Sequence, residues 1–233
     1  MRFRVGKRLG TVAAFVPPGS RVADVGSDHA RLALGLLASG RASHCVATDV
    51  RPLRLPSAAG TAVDRGSLEC RTGDGLEPLH ASDRLDVVAL CGLGTRTIER
   101  ILDPERRSSL RVRRWVLQPQ TEWARLRRWL HRQGLAIDDE RLVEERGRFY
   151  LIVAAVDRDV TTTVSRTGAF ADEVGPVLLR HGDTTTRRYW QHRQRWAAGL
   201  QQAARTPEAL HRADRDLRLA ARALALLERA ALV

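Results

Sequence analysis

The stretch Arg21-Val22-Ala23-Asp24-Val25-Gly26-Ser27-Asp28-His29-Ala30-Arg31-Leu32 decides the fold of this chain. It reads as a short apolar strand that ends in an acid, turns on one glycine and runs straight into a helix. A strand end that meets a helix N-terminus is the layout of a nucleotide-type cofactor site in an open α/β sheet. A dinucleotide fingerprint requires glycine where this chain has Asp28. A carboxylate there repels a pyrophosphate and suits a cationic or amine-bearing ligand. S-adenosylmethionine carries both a sulfonium and an ammonium group, so the turn fits a methyl donor better than NAD.

Outward from this stretch the chain alternates strand-like and helix-like segments. Strands are predicted at Arg21–Val25, His44–Asp49, Leu68–Arg71, Leu85–Cys91 and Arg114–Gln118, with helices at Ala30–Ser39, Leu53–Arg65, Thr95–Leu102 and Glu122–Gln133. Such alternation specifies a parallel sheet covered by helices on both faces. Gly40 and Gly134 stand where helices end on glycine. Two strand-like runs, Ala136–Glu144 and Arg148–Val156, are then joined by Glu145-Arg146-Gly147 and read as a hairpin. The expected fold is therefore α/β: a Rossmann-like methyltransferase sheet, mostly parallel, that ends in an antiparallel hairpin.

Composition shifts at the polar segment Asp157–Thr167, which reads as a linker, and the remainder is helical in pattern. Thr206-Pro207-Glu208 opens the last helix with a hydroxyl cap, proline at the first position and an acid in the first turn. Leu210, Ala213, Leu217, Ala220, Leu224, Leu227 and Ala231 recur at three- and four-residue steps, the seam of a coiled coil. Trp190, Ala197, Leu200 and Ala204 make a weaker stripe on the preceding helix. Two domains are expected: residues 1–158, an S-adenosylmethionine-binding catalytic domain, and residues 159–233, a helical coiled-coil hairpin.

The formal charge is +12, and Lys7 is the only lysine, so the excess is almost all arginine. Such a balance favours polyanionic partners. Residues 105–132 carry nine arginines against two acids, with Trp115, Trp123 and Trp129 interleaved. Arginines with aromatics suit phosphate contact and base stacking, although a solvated helix face with core tryptophans gives the same pattern. The three cysteines, Cys45, Cys70 and Cys91, lie far apart and form neither a disulfide framework nor a zinc pattern. They read as buried strand residues, and no metal is expected. No apolar run reaches the length of a membrane span, and Val12–Val16, stopped by Pro17-Pro18, is too short for a signal peptide. A cytoplasmic protein without membrane contact is expected; the oligomeric state is left open.

Several residues could carry chemistry. Asp24 and Gly26 form the first turn, where glycine permits close backbone approach. Asp49 ends the second strand, 23 positions after Gly26, where an acid can accept both hydroxyls of a ribose. Gly73-Asp74-Gly75-Leu76 follows the third strand and suits either an adenine-wrapping loop or a tight turn. Cys91-Gly92-Leu93-Gly94-Thr95 and Leu117-Gln118-Pro119-Gln120 end the fourth and fifth strands, on the edge where ligands sit. Asp28 has two readings: an N-cap of the first helix, or a carboxylate that faces the sulfonium or the target base. His29 is either a capping or core histidine or part of the site.

With these residues assembled, the chain resembles the bacterial tRNA (adenine(22)-N1)-methyltransferase family. The matching pieces are Lys7-Arg8-Leu9 with Thr11-Val12-Ala13, Asp24-Val25-Gly26-Ser27-Asp28-His29-Ala30, Gly73-Asp74-Gly75-Leu76, Leu117-Gln118-Pro119, Gly147-Arg148-Phe149-Tyr150 and Gly175-Pro176. The resemblance implies methyl transfer from S-adenosylmethionine to adenine N1 in the tRNA D-arm. It implies Asp28 as the catalytic residue. Asp24, Gly26, Ser27, His29, Asp49, Val50, Gly73, Asp74, Gly75, Cys91 and Gly92 are expected around the donor. Arg8, Gln118, Pro119, Gln120 and Tyr150 are expected around the tRNA base. The chain departs from the family where it has Leu93 and Thr95 in place of Met and Gly, Gln120 in place of Asn, and Arg31 in place of Tyr. All these departures fall near the expected base pocket. A non-catalytic RNA-binding protein of the same fold, or a methyltransferase with another substrate, are the competing readings. An NAD oxidoreductase is disfavoured by Asp28 and by the terminal hairpin.

Overall fold

The computed structural model describes residues 5–56, 67–157 and 168–230. The chain divides into two units, Met1–Thr163 and Val164–Val233.

In the first unit seven strands form one sheet: β1 (Ser20–Val25), β2 (Ala42–Asp49), β3 (Leu68–Thr72), β4 (Val87–Leu93), β5 (Arg114–Pro119), β6 (Leu135–Glu145) and β7 (Arg148–Asp157). Their order is β3-β2-β1-β4-β5-β7-β6. The first five are mutually parallel, and β7 pairs antiparallel with both β5 and β6. The central strands are apolar on both faces because helices cover both. Val22, Ala23, Val87, Val88, Ala89, Leu90, Trp115, Val116 and Leu117 are all fully buried, the continuous pattern of a parallel sheet. The hairpin closes in a two-residue turn, Arg146-Gly147, with φ of 52° and 73°, because Glu145 pairs directly with Arg148. Both turn residues are left-handed, as a type I′ turn requires.

The flanking helices are α1 (Lys7–Ala14), α2 (Arg31–Ala38), α3 (Thr95–Ile101), α4 (Pro104–Leu110) and α5 (Trp123–Arg132). Two of these were not anticipated. α1 grows from the basic N-terminal segment and buries Val12. α4 starts on Asp103, whose side chain accepts from the Glu105 and Arg106 amides at 3.0 and 3.5 Å, followed by proline at the first position. That cap is visible in the sequence. The helix predicted over 53–65 is not seen at residues 53–56, which have no regular structure; the rest lies outside the described residues. Within the arginine-rich stretch Trp115 is core, while Arg106, Arg111, Arg113 and Arg132 are exposed. Arg127 is the exception: it is buried and donates to the buried Glu140 at 2.6 Å, pinning α5 to β6.

The second unit is helical: α6 (Ala169–Val174), α7 (Pro176–His181), α8 (Thr184–Ala203) and α9 (Pro207–Ala230). Asp183 caps α8 by accepting from the Thr186 amide at 2.7 Å, and the Thr206 hydroxyl caps α9 by accepting from Ala209 at 3.2 Å. α8 and α9 run antiparallel, as Arg187–Leu227 and Gln201–Asp214 hydrogen bonds require. Trp190 and Ala197 on α8 and Ala213, Ala220, Ala223 and Leu227 on α9 are buried. Leu200 and Leu210, counted in the apolar stripes, are exposed, because both lie at the ends that flank the connecting turn.

Candidate active site

Parallel pairing brings the C-terminal tips of β1 to β5 to one edge. Val25 at the end of β1 is level with Thr48 of β2 and Leu90 of β4; Asp49 is level with Thr72 of β3, and Cys91 with Gln118 of β5. The order of strands reverses between β1 and β4, and ligands of such sheets bind in the crevice at that point.

The first turn is built around Gly26, whose φ of 75° suits glycine. The amides of Gly26 and Ser27 donate to the Thr48 carbonyl at 2.8 and 2.9 Å, which ties the turn to β2. Asp24 is buried; its carboxylate accepts from the Ser27 hydroxyl at 2.5 Å and the Ala33 amide at 3.3 Å. Burial pushes its carboxyl from 3.8 up to about 6, against the lowering effect of those two donors. Asp24 therefore braces the turn from beneath.

Asp28 and Ala30 have positive φ, 28° and 51°. Non-glycine residues pay for that geometry, and it concentrates at functional sites. The N-cap of α2 is Ala30, with no side-chain cap bond. The capping interpretation of Asp28 is thereby removed. Its carboxylate is 48% exposed and lies 3.4 Å from His29 Nε2. Its amide donates to Asp49 Oδ2 at 3.2 Å, and its carbonyl accepts from the Arg54 amide at 2.8 Å. The Nδ1 of His29 lies 2.9 Å from the Arg54 carbonyl, which can only accept, so Nδ1 carries the proton.

Asp49 is nearly buried and accepts from the Arg51 amide as well, at 3.0 Å, so both carboxylate oxygens are fixed at the tip of β2. Beside it Val50 is 62% exposed, an apolar surface at the mouth of the crevice. The Gly73 amide donates to the Asp49 carbonyl at 2.9 Å, which brings the Gly73-Asp74-Gly75 loop alongside. Arg71, doubly bonded to Asp83 at 2.7 and 2.8 Å, holds the base of that loop. Asp74 is paired with Arg100 at 2.6 Å, and this hydrogen bond holds its carboxyl below the usual range.

On the other side of the switch, a β-carbon placed on Gly26 would lie 3.3 Å from Leu93 Cδ2. Leu93 thus touches the first turn, while its carbonyl accepts from the Gln120 amide at 2.9 Å. Gly92, φ 76°, faces Arg8 and Gln120: a β-carbon there would lie 3.8 Å from Arg8 Nη1 and 3.9 Å from Gln120 Nε2. Arg8 in turn donates to Gln118 Oε1 at 2.5 Å and stands 5.6 Å from the Tyr150 ring centre. Its own amide donates to Glu145 Oε1 at 3.3 Å. Gln118 is buried and its amide nitrogen donates to the Pro119 carbonyl at 3.0 Å. Arg8, Gly92, Gln118, Pro119, Gln120 and Tyr150 therefore form one cluster. The Thr95 hydroxyl, fully buried, donates to the Thr121 carbonyl and straps the loop after β4 to the loop after β5. The Cys91 thiol is pushed up by burial and by the nearby Asp24 charge, so it is no nucleophile. Cys45 is buried, whereas Cys70 is exposed on β3, contrary to the expectation for all three cysteines; β3 is the edge strand.

Leu93, Glu145, Arg71 and Arg100 were not picked out individually from the sequence. Leu93 lies within a motif that was. Arg100 carries no local signal, since its partner is 26 residues away. Among the described residues no group of three or more His, Cys, Asp or Glu is placed to hold a metal ion, and no helix is long and apolar enough to cross a membrane.

Comparison with known proteins supplies the family. The sequence profile of the tRNA (adenine(22)-N(1))-methyltransferase family matches residues 22–218. A tRNA (adenine(22)-N(1))-methyltransferase of Bacillus subtilis is 31% identical over 215 residues, covering 88% of this chain and 89% of that protein. The crystal structure of the Bacillus subtilis m1A22 tRNA methyltransferase superposes with a TM-score of 0.70 at 26% identity, over 98% of this chain and 99% of that one. A candidate tRNA (m1A22) methyltransferase of Streptococcus pneumoniae, in complex with S-adenosyl-L-methionine, superposes with a TM-score of 0.77 at 28% identity, over 95% of this chain and all of that one. This chain belongs to the tRNA (adenine(22)-N(1))-methyltransferase family.

Proposed function

We propose that the chain transfers a methyl group from S-adenosylmethionine to N1 of adenine 22 in the D-arm of tRNA. The observation that carries this reading is the Asp28 turn. A half-exposed carboxylate, not spent as a helix cap, is held in a left-handed conformation against the tip of β2.

The residues present fit the donor. Asp49 offers a fixed carboxylate for ribose hydroxyls, Val50 an apolar face for a purine, and Gly26 a turn without a side chain. Asp74 can accept from an adenine amino group while Arg100 holds it. Ser27 and His29 complete the wall of the first turn. S-adenosylmethionine supplies an electrophilic methyl group when bound.

Neutral adenine already carries a lone pair at N1, so no residue need remove a proton beforehand. The work of the chain is alignment and exclusion of water. Positive charge develops on the purine ring as the N1–methyl bond forms. The Asp28 carboxylate faces that charge or accepts from the exocyclic amine. The Arg8, Gln118 and Gln120 cluster, opened by Gly92, is the seat of the base. A stacked or paired adenine must be turned out of the tRNA to reach it.

Residues 1–158 carry the reaction, and residues 159–233 are a basic arm, with twelve arginines against eight acids, that contacts the tRNA. On that arm Arg193 lies 5.4 Å from the ring centre of Trp196, which is exposed, a pairing suited to base stacking. The reaction is placed in the cytoplasm, where tRNA is processed.

The test is methyl transfer to transcribed tRNA carrying A22 or G22, followed by nucleoside mass spectrometry. The expected product is 1-methyladenosine from the A22 transcript alone. Methylation of another base contradicts the assigned target; donor binding without transfer to any tRNA contradicts the enzyme.

A further inference from the structure

A groove with a volume of about 540 Å³ lies beside the Asp28 turn, lined in part by Val5, Gly6 and Leu9 of the N-terminal segment. Its apolar lining includes Leu9, Leu55 and Pro56, and its polar lining is His29, Arg31 and Arg54. Three basic side chains line it and no carboxylate does. Arg31 and Arg54 are exposed, and neither has an ion-pair partner among the described residues. The walls are fixed to one another: the Arg54 amide donates to the Asp28 carbonyl at 2.8 Å, and His29 Nδ1 donates to the Arg54 carbonyl at 2.9 Å. The Arg54 backbone is thus tied to the turn that carries Asp28.

A cationic groove with an apolar lining matches one nucleotide of a nucleic acid strand, its phosphate on guanidinium groups and its sugar or base on aliphatic carbon. Apart from His29, which is shared with the expected donor contacts, the groove is lined by residues outside the donor set.

We propose that the groove between Leu9, Pro56, Arg31 and Arg54 binds a backbone phosphate of the tRNA strand next to the methylated adenosine. Its role is to set the register of the strand over Asp28. The proposal rests on the tRNA methyltransferase reading above.

The test uses the full chain with Arg31→Ala, Arg54→Ala and the double substitution. tRNA affinity is measured across a salt series, and donor affinity is measured by calorimetry. Each single change should weaken tRNA binding by roughly threefold to tenfold, and the double change should lower the slope of log Kd against log salt by about 1 to 2. Donor affinity should stay as in the unsubstituted chain, which also shows that the variants are folded. Arg31→Lys with Arg54→Lys should restore most of the salt slope, since the charge returns. AMP and inorganic phosphate serve as competitors, to separate an RNA phosphate from a free one. A double variant with unchanged tRNA affinity and slope overturns the proposal, as does loss of AMP binding with tRNA binding intact. If the unsubstituted chain methylates no tRNA, the functional assignment fails instead, and the two failures are distinguishable.

Discussion

Around the tips of β1, β2 and β3 backbone amides donate most of the ties, some of them to the Asp24 and Asp49 carboxylates; around the tips of β4 and β5 a backbone bond from Gln120 to Leu93 is joined by side chains that reach from other segments. On the donor side Gly26, Ser27, Asp28 and Gly73 all donate backbone amides to Thr48 or Asp49. On the acceptor side Arg8 reaches from α1 to Gln118, and Thr95 reaches to the Thr121 carbonyl. The Leu93 side chain lies against Gly26 of the first turn. The Gly26, Ser27 and Gly73 amides bond to carbonyls and survive most substitutions, while those of Asp28 and Ala33 depend on the Asp49 and Asp24 carboxylates. On the other side the Arg8 and Thr95 links depend on side-chain identity, whereas the Gln120–Leu93 bond joins backbone groups.

The largest effect that would sharpen this contrast is at Asp28. Asp28→Asn keeps a residue that accepts positive φ and removes the charge. Turnover should fall roughly a hundredfold or more, while calorimetry finds donor affinity little changed. Alanine is the poorer probe because the backbone there is left-handed. An active Asp28→Asn enzyme would strip Asp28 of its catalytic role.

Asp49→Ala should act on the other side alone. Loss of charged hydrogen bonds worth about 1.5–3 kcal/mol predicts donor binding weaker by roughly tenfold to a hundredfold. tRNA affinity, read by filter binding, should not move. Arg8→Met should show the converse pattern: roughly tenfold lower kcat/KM for tRNA with donor affinity retained, since a charged hydrogen bond to Gln118 is lost. If both substitutions weakened both ligands equally, the division into two halves would break.

A smaller effect concerns the brace beneath the donor turn. Asp24 titrates near 3.8 when unfolded and near 6 when folded. The native state therefore binds this proton more tightly, and stability is highest below the lower value and declines as pH rises through the window to the upper one. The full decline is about 3 kcal/mol. Asp24→Asn should remove it, so that the difference in urea unfolding free energy between variant and parent grows from pH 4 to pH 6 in favour of the variant. A difference that stays constant across that window would show that Asp24 is not the buried titrating group.

The two halves also differed in how far the sequence revealed them. The donor turn was legible because strand, acid, glycine and helix start lie within one continuous stretch, and each strand tip carries its own acid or glycine. The parallel sheet and the hairpin followed from apolar runs and from Glu145-Arg146-Gly147, whereas the order of the strands came from the structure alone. What was not legible depends on distant partners. Arg8 meets Gln118 across 110 residues and Arg100 meets Asp74 across 26; no local pattern encodes either meeting. The capping interpretation of Asp28 could be settled only by the backbone, which starts the helix at Ala30 instead. Cys70 is exposed because β3 is an edge strand, paired on one side alone, whereas Cys45 lies on β2, paired on both.

The central claim is that a sulfonium donor lies across the tips of β1 and β2 with its ribose on Asp49. A crystal structure of the chain with S-adenosylhomocysteine tests it most directly. The account predicts both ribose hydroxyls on the Asp49 carboxylate and the homocysteine sulfur beside the Gly26–Asp28 turn. Density for the ligand elsewhere, or a crevice that takes NAD in its place, would contradict it.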